Sequence, residues 1–317
     1  MEKSARRLLV VRHGERCDLT FSHQGINWME QAFDTNGRYH PFDLNLPRNL
    51  PKRNDGFEMF ASDTPLTEMG YLQSKLTGRA LRDHGVKVDH VYCSAALRCV
   101  QTAVGIIKGM DSCTLKINVE PGLYEWMYWC RNSIPSWMTP EELNRLGYPI
   151  NSYYIPLLKP NDLCINETLN DFYERSFALV RKILSIHSEG TVLLVTHGPS
   201  VDALTRQLCE TPFSQCEREV VMLMWLNVIL MLGVIWVITC NKDAIHRLSF
   251  QTLFGPLIGE AGDRSSRRRH GWNNSDRWPR SGGPAGPPRG GYGTDRRPIG
   301  RPTFSSGMSC PPMAGGS

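Results

Sequence analysis

Short apolar runs with strand character alternate with helical patterns from residue 7 onward, and such a chain buries both faces of its strands only as a parallel sheet covered by helices on both sides. Residues 8–11 form the first apolar run and end abruptly in RHGER at 12–16. The stretch 67–83 predicts a helix with Thr67 as N-cap, Leu72, Leu76 and Ala80 on one face and Gly85 just past its end. Residues 88–92 predict the next strand, 98–108 a helix carrying Val100, Val104 and Ile107 at helical spacing, and 115–119 another strand. A helix over 172–187, a strand over 191–196 and a helix from Pro199 to about residue 208 bring the pattern to at least four strand-to-helix units. The expected fold is therefore α/β, a three-layer sandwich with a mostly parallel sheet and helices on both faces. Two polar, aromatic and Pro-containing stretches, 18–64 and 126–168, interrupt the alternation and read as lid-like insertions.

Charge is unevenly placed. The formal net charge is +5, and residues 260–317 hold ten Arg against four acidic residues, so the rest of the chain is close to neutral. A near-neutral body argues against nucleic acid as the ligand of the folded part, because binding a phosphate backbone needs clustered positive charge. The tail is rich in Arg, Gly, Pro and Ser and lacks the apolar surface to offset its ordering entropy, so disorder is expected there, with weak RNA binding an option for the tail alone. The ten cysteines show no CxxC pair and no zinc-finger spacing, which disfavours a metal site or a disulfide framework and suits reduced thiols. At the start of the chain only four apolar residues stand in a row before charge returns, too few for a signal-peptide core; a cytoplasmic location is expected.

Three clusters fall at the C-terminal ends of three predicted strands: RHGER at 12–16, SAALRCVQTA at 94–103 and THG at 196–198. A fourth, PGLYEW at 121–126, places Glu125 after a strand as well. In an open parallel sheet that edge is where ligands bind. Brought together, the clusters supply the imidazoles of His13 and His197, the guanidinium groups of Arg12, Arg16 and Arg98, and one carboxylate. That set suits a tetrahedral dianion, since the planar fork of Arg matches phosphate oxygens. Tyr124, Trp126, Tyr128 and Trp129 read either as substrate pocket or as lid packing. The pair Cys93 and Arg98 has the outline of a cysteine-phosphatase loop, but four residues separate them where that loop needs five. Cys93 is expected to be a buried thiol.

With the segments RHGERCD, QAFDTNGRYHPFDLNLPRNLPKR, DTPLTEMG, DHVYCSAALRCVQTA, EPGLYEW and YERSF, the chain resembles the histidine phosphatase (phosphoglycerate mutase-like) superfamily. Within it the segments are similar to the phosphatase domain of the suppressor-of-T-cell-receptor-signalling (TULA) proteins and to insect ecdysteroid-phosphate phosphatases. They cover roughly residues 8–221. The resemblance implies that His13 is the nucleophile that becomes a phosphohistidine, that Arg12, Arg16, Arg98 and His197 bind the phosphoryl group, and that Glu125 donates a proton, so that His13, Glu125 and His197 form the catalytic set. It implies a phosphomonoesterase that needs no metal and no cofactor and acts on protein phosphotyrosine or a small-molecule phosphate. Mutases share the constellation, but Arg16 favours a phosphatase, because mutases usually carry a small residue shortly after RHG. A phosphosugar mutase and a catalytically weak, phospho-ligand-binding pseudophosphatase are the alternatives.

Residues 220–240 are 21 in a row without a charge, long enough for a helix to cross a bilayer. The rival reading is a buried helix or strand pair that closes the core. A single span would put the Arg-rich tail and the catalytic domain on opposite sides, whereas both are expected in the cytosol. The resemblance ends near residue 221, and an altered C-terminus is a third reading. The organisation expected from sequence is thus a phosphatase domain over 1–221, an apolar segment over 222–240, a linker over 241–259 and a tail over 260–317. Expected partners are a phosphorylated substrate, protein or small molecule, with a homodimer and membrane association through 220–240 left open.

Overall fold

A computed structural model describes residues 7–130, 133–205, 235–241 and 244–248, all within one compact unit, Met1–Ile258. Helices and strands alternate as β1 (Arg7–Arg12), α1 (Cys17–Ser22), α2 (Trp28–Ala32), α3 (Glu68–Asp83), β2 (His90–Cys93), α4 (Leu97–Gly109), β3 (Ile117–Val119), α5 (Pro140–Arg145), α6 (Leu169–Ile186), β4 (Thr191–Thr196) and α7 (Gly198–Thr205). Two further strands, β5 (Ile235–Asn241) and β6 (Ala244–Leu248), follow. The sheet runs β3-β2-β4-β1-β5-β6. The first four strands are parallel, whereas β5 pairs antiparallel with β1 and β6 antiparallel with β5. This is the expected α/β sandwich with a mostly parallel sheet.

Period-two alternation sorts each central strand between two cores. Leu9 and Val11 of β1 join Leu193 and Val195 of β4 in a cluster with Val100, Ala103 and Ile107 of α4. Leu8 and Val10, with Val192 and Leu194, face Leu179, Val180 and Ile183 of α6 and Val201 and Leu204 of α7. The first insertion packs on the α4 side through Phe21, Trp28 and Phe60, and the second through Met127, Met138 and Leu143 there and through Tyr154 and Leu157 on the α6 side.

The face that α3 buries differs from the sequence expectation. Leu72 and Leu76 are 45% and 51% exposed, and the buried positions are Gly70, Ser74, Gly78, Ala80 and Leu81. Backbones approach too closely for side chains here: a Cβ at Gly78 would sit 2.0 Å from the Ile106 carbonyl oxygen of α4. Thr67 caps the helix as expected, its hydroxyl accepting from Gly70 N at 2.9 Å.

A buried ion pair joins the two insertions and also fixes the start of α4. Arg53 donates from Nη1 to Asp63 Oδ2 at 2.8 Å, from Nε to Asp55 at 2.9 Å and from Nη2 to the Ser136 carbonyl at 2.5 Å. Asp63 turns its other oxygen to Leu97 N at 2.8 Å, the first amide of the helix that carries Arg98. Both side chains of the Arg53–Asp63 pair are 0% exposed, so removing Asp63 leaves buried Arg53 with only the part-exposed Asp55 and strips Leu97 N of its acceptor. Asp63→Ala is expected to destabilise the fold by about 3–5 kcal/mol, measured as a shift in urea unfolding; a shift under about 1 kcal/mol would contradict this role.

The apolar stretch 220–240 ends in a strand. Ile235 to Ile238 pair with Val11 to Leu8, so the β-branched residues at the end of the stretch continue the sheet along β1. The membrane reading of 220–240 is corrected for those last residues, and 220–234 lie outside the described residues. Among the described residues no helix is long and apolar enough to cross a membrane. The C-terminal part of the helix expected from Pro199, most of the 241–259 linker and the whole 260–317 tail also lie outside them. Cys17, Cys93, Cys99, Cys113 and Cys130 carry free thiols, but Cys164 is disulfide-bonded, against the expectation of reduced thiols.

Candidate active site

Parallel register brings the two imidazoles together. Arg12 at the end of β1 lies opposite Thr196 at the end of β4, so the next residues, His13 and His197, emerge side by side at the carboxyl edge of the sheet. Their ring centroids are 5.4 Å apart. His13 N donates to the Thr196 carbonyl at 2.8 Å and locks that edge. Gly14 is required by the close passage of this turn beneath α3, since a Cβ there would lie 2.4 Å from the Gly70 carbonyl oxygen. The Gly14 amide donates to Thr102 Oγ1 at 3.0 Å, and Thr102 in turn donates to the Arg98 carbonyl at 2.8 Å.

Hydrogen bonds fix both tautomers. His13 Nδ1 stands 2.8 Å from the Gly14 carbonyl, which can only accept, so the proton is on Nδ1 and the Nε2 lone pair is free. His197 Nδ1 lies 3.1 Å from Arg98 Nη2, which can only donate, so its proton is on Nε2, directed to Ser94 Oγ at 2.9 Å. Burial, then the Arg98, Arg12 and Arg16 guanidinium groups, hold the His13 imidazolium well below its ordinary range. His197 is lowered in the same way, by burial first and Arg98 next. Both rings are therefore neutral near pH 7.

Arg98 sits at the centre, 1% exposed. Its Nη2 donates to Glu125 Oε1 at 2.6 Å. Burial acts to lower its pKa, but Glu125 and Tyr124 carry it above the ordinary guanidinium value. Arg12 is lowered by burial and by Arg16 beside it. The Nε atoms of Arg12 and Arg98 are buried with no hydrogen-bond partner. An unmade bond of this kind costs about 1–3 kcal/mol, more for a charged donor, so each arginine keeps a donor for an acceptor that the described residues do not supply. Arg16 is placed differently from the simple expectation: its Nε and Nη2 grip Asp18 at 2.7 and 2.5 Å, so an incoming anion must share or displace that carboxylate.

All six side chains singled out from sequence are thus brought to one edge, with Arg16 already engaged. Tyr124 is buried against Trp137, at 4.8 Å between ring centroids, whereas Tyr128 and Trp129 are exposed and Trp126 stacks on Tyr128 at 4.9 Å. Cys93 is fully buried at the strand end. Cys99, 3.6 Å from His197 Nε2, is pushed up to about 12 by burial, so it stays a thiol and is no nucleophile. Sequence reasoning missed Ser94, which fixes the His197 tautomer, and Glu167 with Arg175, which hold the Glu125 segment. Arg175 had a signal: it lies in phase with Phe172 and Leu179 on the apolar face of α6, where a charge requires a buried partner.

Comparison with known proteins follows the same lines. The profile of the Histidine phosphatase superfamily (branch 1) matches residues 55–239, and that of Selenoprotein SelK_SelG matches residues 230–316. The first match contains Arg98, Glu125 and His197 but begins after RHGER. Ubiquitin-associated and SH3 domain-containing protein B of Mus musculus is 42% identical over 205 residues, 63% of this chain and 32% of that protein. The ecdysteroid-phosphate phosphatase of Drosophila melanogaster is 37% identical over 206 residues, 64% of this chain and 27% of that protein. The chain therefore spans about a third of the length of the curated relatives it matches. A crystal structure of the ecdysone phosphate phosphatase from Bombyx mori in complex with tungstate superposes with a TM-score of 0.56 at 35% identity, covering 64% of this chain and 77% of that one.

Proposed function

This chain belongs to the histidine phosphatase superfamily (branch 1), and on that premise we propose that it hydrolyses phosphomonoesters through a phosphohistidine formed on His13. The observation that carries the reading is the pair of buried, unpartnered guanidinium Nε atoms beside a neutral imidazole whose Nε2 lone pair is free. Arg12, Arg98 and Arg16 take the phosphoryl oxygens and offset the charge that spreads over them in the transition state. His13 Nε2 forms the N–P bond as the bond from phosphorus to the leaving oxygen breaks, and Glu125 gives that oxygen its proton. Water then attacks phosphorus, passes a proton to the Glu125 carboxylate and releases inorganic phosphate and free His13. His197, whose ring nitrogens are taken by Arg98 and Ser94, assists by orienting Arg98 rather than by touching the phosphoryl group. The substrate is a protein phosphotyrosine or a small-molecule phosphate ester; similarity to the ecdysteroid-phosphate phosphatases supports the second.

The test is turnover of p-nitrophenyl phosphate by the full chain in excess EDTA. Undiminished release of nitrophenolate supports a metal-independent phosphatase, and loss on chelation contradicts it. A second expectation concerns pH. Because neutral His13 is the nucleophile and its imidazolium is held well below 6.5, the reactive form persists as pH falls through 6.5. The kcat/KM profile, which reports the free enzyme, should therefore hold level through 6.5 after correction for ionisation of the ester. An acid limb centred at the ordinary imidazole value would contradict a desolvated His13.

A further inference from the structure

Glu125 owes its place to two buried charges that the chemistry itself does not consume. Arg175 on α6 is 7% exposed and Glu167, two residues before that helix, is 4% exposed. Arg175 donates from Nε to Glu167 Oε2 at 2.9 Å and from Nη2 to Oε1 at 2.7 Å. Its remaining donors go to the backbone of one segment: Nη1 to the Gly122 carbonyl at 2.7 Å and the Tyr124 carbonyl at 3.4 Å, and Nη2 to the Glu125 carbonyl at 3.4 Å. Glu167 completes the hold from the other end. Its Oε1 accepts from Met127 N at 2.7 Å, and its carbonyl accepts from Trp126 Nε1 at 3.0 Å. The pair thus grips residues 122–127 on both sides of Glu125, while Thr196 Oγ1 ties the Leu123 carbonyl to the strand that leads to His197, at 2.7 Å. An ion pair serving only the core has no need to direct its spare donors at a single loop.

We infer that Arg175 and Glu167 are positioning residues that set the Glu125 carboxyl within proton-transfer reach of the leaving oxygen; the inference rests on the phosphatase reading above. Proton transfer needs a heavy-atom separation of about 2.6–3.2 Å, and a misplacement of ~1 Å costs on the order of 10²-fold. The loss should depend on how much protonation the leaving group needs. Arg175→Lys keeps the charge but loses the fork. It should slow phenyl phosphate by on the order of 10²-fold, yet p-nitrophenyl phosphate, whose leaving oxygen is far less basic, only by about threefold.

The experiment compares kcat/KM for the two esters in wild type, Arg175→Lys, Glu167→Gln, Glu125→Gln and the double variant Arg175→Lys with Glu125→Gln, each shown to be folded by circular dichroism. The expected result is a drop in the phenyl to p-nitrophenyl ratio in all three single variants, with no further drop when Arg175→Lys is added to Glu125→Gln. Should Arg175→Lys not fold, Glu167→Gln, which keeps an acceptor for Met127 N, carries the same comparison, alone and with Glu125→Gln. Equal slowing of both esters, or an unchanged further loss in the Glu125→Gln background, would overturn the inference and leave the phosphatase reading standing. A wild type that turns over neither ester overturns that reading, and the inference with it.

Discussion

Replacing His13 by Ala is expected to abolish turnover, lowering kcat by roughly 10⁴- to 10⁶-fold, the scale on which loss of a covalent nucleophile is felt. The change removes only the side chain. The backbone bond from residue 13 to the Thr196 carbonyl remains, as does the Gly14 amide bond to Thr102, so the edge of the sheet should keep its shape. Arg12 and Arg98 keep their unpartnered buried Nε donors, and the variant should still bind inorganic phosphate or tungstate. Residual turnover above about 1% of wild type in a folded sample, measured with p-nitrophenyl phosphate, would mean that some other group attacks phosphorus.

Arg98→Ala should be the next most severe change, costing on the order of 10³-fold in kcat/KM. Arg98 is 1% exposed and does three things at once: it keeps a buried, unpartnered Nε donor, holds Glu125 Oε1 at 2.6 Å and fixes the His197 tautomer at 3.1 Å. Its loss therefore affects both KM and kcat. Arg98→Lys restores the charge without the fork and should recover less than about tenfold of the loss, because a single ammonium cannot serve Glu125, His197 and phosphate together. Near-wild-type activity in the lysine variant would show that charge alone suffices and that the forked geometry is incidental.

The central strands were legible because each is a continuous apolar run that must be covered on both faces, and the polar clusters that end them mark the carboxyl edge. Once β1 and β4 are neighbours in register, the meeting of His13 and His197 follows without further assumption. The buried face of α3 was not legible by hydrophobic periodicity, because a close helix crossing selects glycine and serine at the contact and leaves Leu72 and Leu76 outside. The stretch 220–240 left a membrane span and a core-closing helix or strand pair both open for a related reason: an uncharged run has no period, and only pairing with β1 distinguishes a strand from a helix at its end. The grip of Asp18 on Arg16 was in plain view two residues away, yet sequence does not say whether an arginine faces a ligand or its neighbour. Arg53 and Asp63 stand at the end and the start of two segments that carry the resemblance, yet nothing in the sequence says that they pair, since they meet within irregular chain where no period applies.

The claim on which the mechanism turns is that phosphorus becomes bonded to Nε2 of His13, the nitrogen that the Gly14 carbonyl leaves free. Rapid acid-free quenching of the full chain during turnover of a phosphate ester, followed by peptide mapping and ³¹P resonance of the trapped protein, locates that bond. The account predicts an alkali-stable phosphoramidate on His13, at Nε2, absent from His13→Ala. Phosphate trapped on His197, Cys99 or a hydroxyl side chain, or a folded and active enzyme that never carries phosphate, would contradict it.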